Sequence, residues 1–354
     1  MKRPTRTDVA RRAGVSVATV SYAYSESPKI SEDTRRSVFD AARELGYKPS
    51  QLARSLSTRR SMQLSMILND VANPVYSAMI SGFESAAVEK GYLVNICNGR
   101  DHADEYFESI ITRGIDGVLV EVLPYKFHIA KLVELIDTGS NVVLFGKHGI
   151  DTGRAACFEI DYPHGMDLAV DHLASLGHRH IVYLSGLAEK DRYDKRIDGF
   201  REAVRKRLGA GIPASTSASF PDSFVLAPPE SLTTSIADGE AMTRELLATG
   251  RSFSAVICTN DLMAVGSLRA LTAAGFSVPG DVSVVGIDDA SLASVVTPAL
   301  TTIGSDYFSI GRGAFELLYG VMKEKKYGYV LHRPRLIIRS STGPAKAGSG
   351  EDLA

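Results

Sequence analysis

Between Thr7 and Leu56 the chain dictates its own local geometry more tightly than anywhere else. Val9, Ala10 and Ala13 fall on one side of a short helix, and Gly14 follows, able to make a sharp turn without the strain a Cβ would bring. Ser16 then opens a second helix, its hydroxyl accepting a backbone N–H of the first turn. A third helix is expected after the cap Ser31, with Val38, Ala41, Ala42 and Leu45 on its packed face and Gly46 as its terminator. Together these make a three-helix module around a helix-turn-helix, assigned to residues 1–49. Pro49 stops any continuation, and 50–60 reads as one more short helix, Ser50 to Ser57, plus a linker. A helix of that length is marginal in water by itself.

In a helix-turn-helix the start of the second helix is the end that enters a major groove, which puts Val17, Ala18, Thr19, Ser21 and Tyr22 near it. Charge follows the same division. Residues 1–60 hold 13 Lys/Arg and 6 Asp/Glu, a net of +7, whereas the whole chain is at −1, leaving −8 for the remainder. A basic module on an acidic body predicts phosphate contacts that weaken steeply with salt; Arg6, Arg11, Arg12, Lys29, Arg35, Arg36 and Arg54 are the candidates.

The runs Asp8-Val9-Ala10, Ala13-Gly14-Val15-Ser16, Thr19-Val20-Ser21, Leu45-Gly46-Tyr47-Lys48-Pro49 and Ala53-Arg54-Ser55-Leu56 resemble the LacI/GalR family of transcriptional repressors, and the resemblance extends to about Ser341. It implies that Val17, Ala18 and Tyr22 read base edges, with Arg6, Ser16, Thr19, Ser21, Thr34 and Arg35 on the DNA backbone. Tyr22 stands where relatives often carry Arg. One hydroxyl and a flat apolar face replace a guanine-reading fork there. The resemblance also implies that Ala53, Arg54 and Leu56 enter the minor groove, Leu56 as an apolar wedge that kinks the duplex once two such segments pair.

A chain of 354 residues exceeds one ordinary core, so further domains are expected. No run of about 18 apolar residues occurs, which argues against a spanning helix. The amino terminus does not read as a signal peptide, so the cytoplasm is the expected location. Cys97, Cys157 and Cys258 are odd in number and each sits in an apolar stretch, consistent with reduced, buried thiols.

Beyond Arg60 short apolar runs alternate with amphipathic ones. Strands are predicted at Leu64–Leu68, Tyr92–Cys97, Gly117–Val122, Val142–Phe145, Ile181–Ser185, Ala255–Thr259 and Val282–Ile287, with helices between them. The fold class is therefore α/β: a helix-turn-helix domain and hinge, then a two-lobed, periplasmic-binding-protein-like body over 61–341. The family pattern implies three crossings between lobes, near Asp161, Ala290 and Met322. One lobe would then hold 61–161 and 291–322, the other 162–290 and 323–341. The segment Leu208 to Ser235 is rich in Gly, Pro, Ser and Ala and reads as an exposed excursion. The tail 342–354 has little to bury and is expected to be disordered.

A ligand would sit at the carboxyl ends of the strands, between the lobes. Asn73-Pro74-Val75-Tyr76 aims a helix start and the Tyr76 ring at that cleft. Arg196-Ile197-Asp198-Gly199-Phe200 matches the family's effector-clamping Arg motif, and resemblance gives Asn260 and Asp288 to ligand hydrogen bonds, with Asp261 free to cap its helix. Val75, Arg192 and Asp161 complete the candidate set. Such groups suit a sugar or sugar derivative as effector, although the chain has no Trp to carry a sugar face. A charged rim at Lys190, Asp191 and Arg192 leaves a phosphosugar or a nucleobase-type corepressor open.

Enzyme motifs are missing: no Gly-x-Ser-x-Gly elbow, no Gly-Lys-Ser/Thr loop and no His-Glu-x-x-His occurs. His178 and His180 lack further ligands for a metal, and no cofactor is implied. The expected partners are a palindromic double-stranded DNA operator, a small-molecule effector and a second copy of the chain, since one helix-turn-helix makes few base contacts. No membrane partner is expected. A module that binds small molecules without DNA is the reading from a different class.

Overall fold

The computed structural model describes residues 4–25, 27–48, 60–121, 129–146, 153–189, 195–209 and 224–346. The chain divides into two compact units, Met1–Met62 and Gln63–Ala354. The first contains α1 (Arg6–Ala13), α2 (Val17–Tyr24) and α3 (Glu32–Glu44). Thr5 and Asp8 close a reciprocal capping box on α1, and Gly14 ends it at φ 66°, a left-handed conformation that most side chains resist. Ser16 and Ser31 cap α2 and α3 by accepting from the N–H of Thr19 and Thr34. Val9, Ala10, Val20, Ala23, Val38, Ala41 and Ala42 form the buried core that the three helices share.

The second unit holds two six-stranded sheets. The first sheet is built from β1 (Gln63–Leu68), β2 (Leu93–Asn98), β3 (Gly117–Glu121), β4 (Val142–Phe145), β5 (Ala156–Ile160) and the distant β11 (Tyr329–His332), in the order β11-β5-β4-β3-β1-β2, all parallel. Helices α5 (Ala103–Arg113) and α6 (Ile129–Asp137) cover one face through Phe107, Ile110, Leu132 and Leu135. On the other face lie α4 (Val75–Glu89) and α11 (Tyr307–Glu324), where the Phe83 and Phe315 rings meet edge to face at 5.7 Å. That approach requires Gly311. A Cβ there would stand 2.0 Å from the Met79 carbonyl oxygen.

The second sheet runs β12-β10-β9-β8-β6-β7: β6 (Ile181–Leu184), β7 (Val225–Leu226), β8 (Ala255–Cys258), β9 (Ser283–Asp288), β10 (Thr301–Gly304) and β12 (Arg335–Ile337), with only β12 antiparallel. One core lies under α7 (Tyr162–Ser175) and α8 (Lys195–Leu208), centred on Met166, Leu173, Tyr183 and Phe200. The opposite core lies under α9 (Ile236–Ala248) and α10 (Asp261–Ala273), with Leu184, Met242, Val256 and Leu271.

Pairing corrects two of the expected crossings. The chain leaves the first lobe after β5, next to Asp161. It does not return near Ala290, because β10 still pairs with β9 in parallel (Thr301 opposite Val285); the return comes at about residue 305. Nor does it leave again near Met322, because β11 pairs with β5 (Tyr329 opposite Cys157), and only β12 belongs to the second sheet. Residues 291–304 therefore lie in the second lobe and 323–332 in the first.

Two further expectations change. The tail is ordered through Lys346: the Gly343 carbonyl reaches the buried His178 Nε2 at 3.0 Å, the Gly343 N–H donates to Ser283 at 3.1 Å, and the Ala345 N–H donates to the Leu176 carbonyl at 2.8 Å. Residues 347–354 lie outside the described residues. In the excursion of 208–235, residues 224–235 carry an edge strand, β7, and then run to the cleft rather than over an outer surface.

Candidate functional site

In the first unit Val17 and Ala18 are exposed at the start of α2, and Tyr22 is half-buried with the Lys29 ammonium 5.3 Å from its ring centroid. Several residues assigned to the DNA backbone have partners inside the module. Arg6 donates to the Ser21 hydroxyl at 3.0 Å, and Ser21 donates to the Val17 carbonyl at 3.1 Å. Ser16 pairs with Thr19, and Ser31 with Thr34, each at 2.9 Å. The Arg35 side chain is 14% exposed and donates to the Ala23 carbonyl at 2.9 Å, the Ser27 carbonyl at 3.1 Å and Glu32 at 3.1 Å. Each of its three nitrogens is engaged, so it ties α3 to α2. Ala53, Arg54 and Leu56 lie outside the described residues.

In the second unit a cavity of about 410 Å³ opens between the lobes. Its walls come from the carboxyl ends of β1, β3, β4, β8 and β9, where parallel strands release their chains. Val75, Tyr76, Arg196, Asn260 and Asp288 all line it. Asp161 does not; it caps α7 by accepting from the His164 N–H at 3.1 Å, which is a short polar residue's ordinary task at a helix start. Arg192 lies outside the described residues. The capping role expected of Asp261 belongs to Asn260, which also lines the cavity. Asn260 caps α10, its Oδ1 accepting from Met263 at 2.8 Å while its amide donates to the Thr234 carbonyl at 2.9 Å. Asp261 is buried and accepts from the Thr302 hydroxyl at 2.6 Å and the Ala290 N–H at 2.7 Å, bracing the end of β9.

Two carboxylates face the cavity from opposite lobes. Glu121, the last residue of β3, accepts from the Tyr76 hydroxyl at 2.6 Å and the Asn69 N–H at 3.1 Å, both through Oε2. Asp288, the last residue of β9, accepts from the Tyr307 hydroxyl at 3.0 Å through Oδ1. Burial pushes Glu121 up to about 7 and Asp288 up to about 6, with the neighbouring Asp288 charge adding to the first and Arg196 opposing both. The same burial and carboxylate neighbours hold the Tyr76 and Tyr307 hydroxyls well above their ordinary range, so both stay protonated donors. Asp288 has φ 113°, a backbone conformation that L-residues rarely adopt and that clusters at binding sites.

Arg196 is held in place by its Nη1 bond to the Thr259 carbonyl at 3.0 Å and by the Tyr162 ring, whose centroid lies 4.5 Å from the guanidinium carbon. Sequence reasoning missed Glu121, Phe145, Tyr162, Tyr307 and Thr233 to Ser235 as cavity residues. Glu121 was readable as a polar residue closing the apolar run Gly117 to Val120. Tyr307 was not, since its place in the cavity follows from the late return of the chain.

Residues 5–50 match the family described as bacterial regulatory proteins, lacI family, and residues 170–342 match a periplasmic binding protein-like domain. The HTH-type transcriptional repressor PurR of Mannheimia succiniciproducens is 31% identical over 342 residues, covering 94% of this chain and 97% of its own. The chain belongs to the LacI family. It is thus a DNA-binding transcriptional regulator, with the two-lobed body those proteins use for small molecules. Among solved structures, a complex of the transcriptional regulator CelR with cellobiose matches at 27% identity and a TM-score of 0.69, covering 96% of this chain and 100% of that one. The Lac repressor dimer bound to operator matches in fold, with a TM-score of 0.79 at 24% identity, covering 97% and 100%. Among the described residues no helix is long and apolar enough to cross a membrane, and no cluster of three potential metal ligands occurs.

Proposed function

We propose that this LacI-family regulator is a homodimeric repressor whose grip on a palindromic operator is released by a sugar-type effector bound between the lobes. The supporting observation is the cavity: polar groups from both lobes, Glu121 and Asp288 with Arg196, converge on a space of about 410 Å³ beside the Tyr76 and Phe145 side chains. Hydroxyls of a polyol donate to carboxylates and accept from a guanidinium, and a ring face rests on an aromatic. A ligand touching both lobes binds one relative orientation of them better than another, and that difference is the free energy available for a switch. Base reading falls to Val17, Ala18 and Tyr22, with the 50–57 segment and Leu56 as the minor-groove element.

The test is a gel shift on the upstream DNA of its own gene, titrated with a sugar panel chosen by thermal shift. Release of the operator by a sugar that also raises the melting temperature is expected. Equal binding to random DNA under every ligand would defeat the proposal. A second reading, a nucleobase-type corepressor in the same cleft, predicts tighter operator binding with ligand, the opposite sign.

A further inference from the structure

Among the described residues that line the cavity, carboxylates outnumber cations, and a neutral polyol does not correct that. Among the described residues that line it, Asp70, Glu121 and Asp288 are acidic and Arg196 is the single cation. Asp70 is already paired with Arg100, which leaves two carboxylates to one guanidinium. Each cavity carboxylate has one oxygen engaged by the protein and one left open. The Tyr76 and Tyr307 hydroxyls each give their one proton to a carboxylate, Asn260 uses both ends of its amide on the protein, and Arg196 gives Nη1 to the Thr259 carbonyl. Among the described residues no donor reaches Glu121 Oε1 or Asp288 Oδ2. Two open carboxylate oxygens facing one cavity are best satisfied by a group that donates and is positive.

We propose that the effector carries a protonated amine, held by the free carboxylate oxygens that Glu121 and Asp288 present to the cavity. This deepens the sugar-effector reading and rests on it: the ligand class becomes an amino sugar or aminated polyol. A hydroxyl satisfies one acceptor and brings an oxygen that needs a donor of its own, whereas an ammonium brings three donors and no acceptor. It also cancels the excess charge in a space from which the ligand displaces water, where an unpaired carboxylate is most costly. The rings of Phe145 and Tyr76 suit a cation at the same wall. The raised proton affinity of both carboxyls comes first from burial, and a cation bound beside them would offset it.

Matched pairs test the proposal on the native full-length protein at pH 7: glucosamine, galactosamine and mannosamine against glucose, galactose and mannose, and 1-amino-1-deoxyglucitol against glucitol, by calorimetry with thermal shift. At least one amine should bind about tenfold or more tightly than its hydroxyl partner. Glu121→Gln, checked for folding by its own melting curve, should cut that ratio by about tenfold, and Asp288→Asn should act in the same direction. If no amine outbinds its partner, or if the preference survives both substitutions, the amine is not what the cavity selects. Neutral sugars releasing the operator in that case would leave the sugar-switched regulator standing and remove only the amine. Ligand titrations unchanged by Arg196→Ala would instead remove the cleft itself.

Discussion

Tyr307 donates to Asp288 at 3.0 Å from the other side of the cleft: Tyr307 opens the helix that carries the chain back to the first lobe, whereas Asp288 ends a strand of the second. The bond is therefore made or strained according to the angle between lobes. Tyr307→Phe leaves a buried carboxylate without its one tyrosine donor. Denaturant unfolding should register a loss of about 1–3 kcal/mol, and effector affinity should fall with it. An unchanged effector titration would mean that the bond does not report lobe closure.

The cavity carboxyls make stability depend on pH with a definite sign. Glu121 rises from 4.5 to about 7 and Asp288 from 3.8 to about 6 on folding, both by burial first. An acid raised on folding holds its proton more tightly in the folded state. Its stabilising contribution is complete below the unfolded pKa and is lost as pH rises through the folded one. Groups facing Glu121 include Tyr76, Asp288 and Arg196, so the substitution must keep shape and remove charge. The melting temperature of Glu121→Gln should match the native value near pH 4.5 and exceed it increasingly up to about pH 8. Parallel pH profiles for the two proteins would contradict this.

Gly311 is the point at which α11 touches α4. The Cβ of Gly311→Ala would meet the Met79 carbonyl oxygen at 2.0 Å and the Phe83 nitrogen at 2.8 Å, both backbone atoms that cannot rotate away. The helices must separate, and a loss of about 1–3 kcal/mol in chemical unfolding is expected, carried by the effector-binding body rather than the helix-turn-helix.

Arg35 allows structure and DNA contact to be told apart. Because its nitrogens are bonded inside the module, Arg35→Ala should lower the melting temperature of the amino-terminal unit while leaving the slope of log affinity against log salt unchanged. A slope shallower by about one would return Arg35 to the phosphate-binding set.

Removing residues 342–354 should destabilise the body, although the sequence there is small and polar. The deletion takes the Gly343 carbonyl from His178, which is 1% exposed, and the Thr342 hydroxyl from Thr301 and His172. A cost of about 1–3 kcal/mol follows from leaving such buried groups unmatched.

The helix-turn-helix was legible almost residue by residue, because Gly14, Ser16, Ser31 and Gly46 act on their own neighbours. Strands such as Val142–Phe145 were legible for a similar reason: burial on both faces writes an unbroken apolar run. What local pattern could not disclose was partnership. β10 stays with β9, the strand before it, whereas β11 pairs with β5, about 170 residues earlier, and neither choice is written in the local pattern. The cavity was half readable for the same reason. Tyr76 and Arg196 lie in short motifs, whereas Tyr307 and Thr234 reach the cleft only through the route of the chain. Residues 224–235 looked like surface because Pro and Ser weaken any periodic signal, yet their last three residues line the cavity.

Each sheet takes a strand from the far end of the polypeptide: β11 finishes the first and β12 the second. During synthesis the first lobe cannot reach its final form until residue 332 has emerged, nor the second until residue 337, so the two must mature together and late. An isolated half, cut anywhere in the middle, would expose an unpaired sheet edge instead of a working receptor.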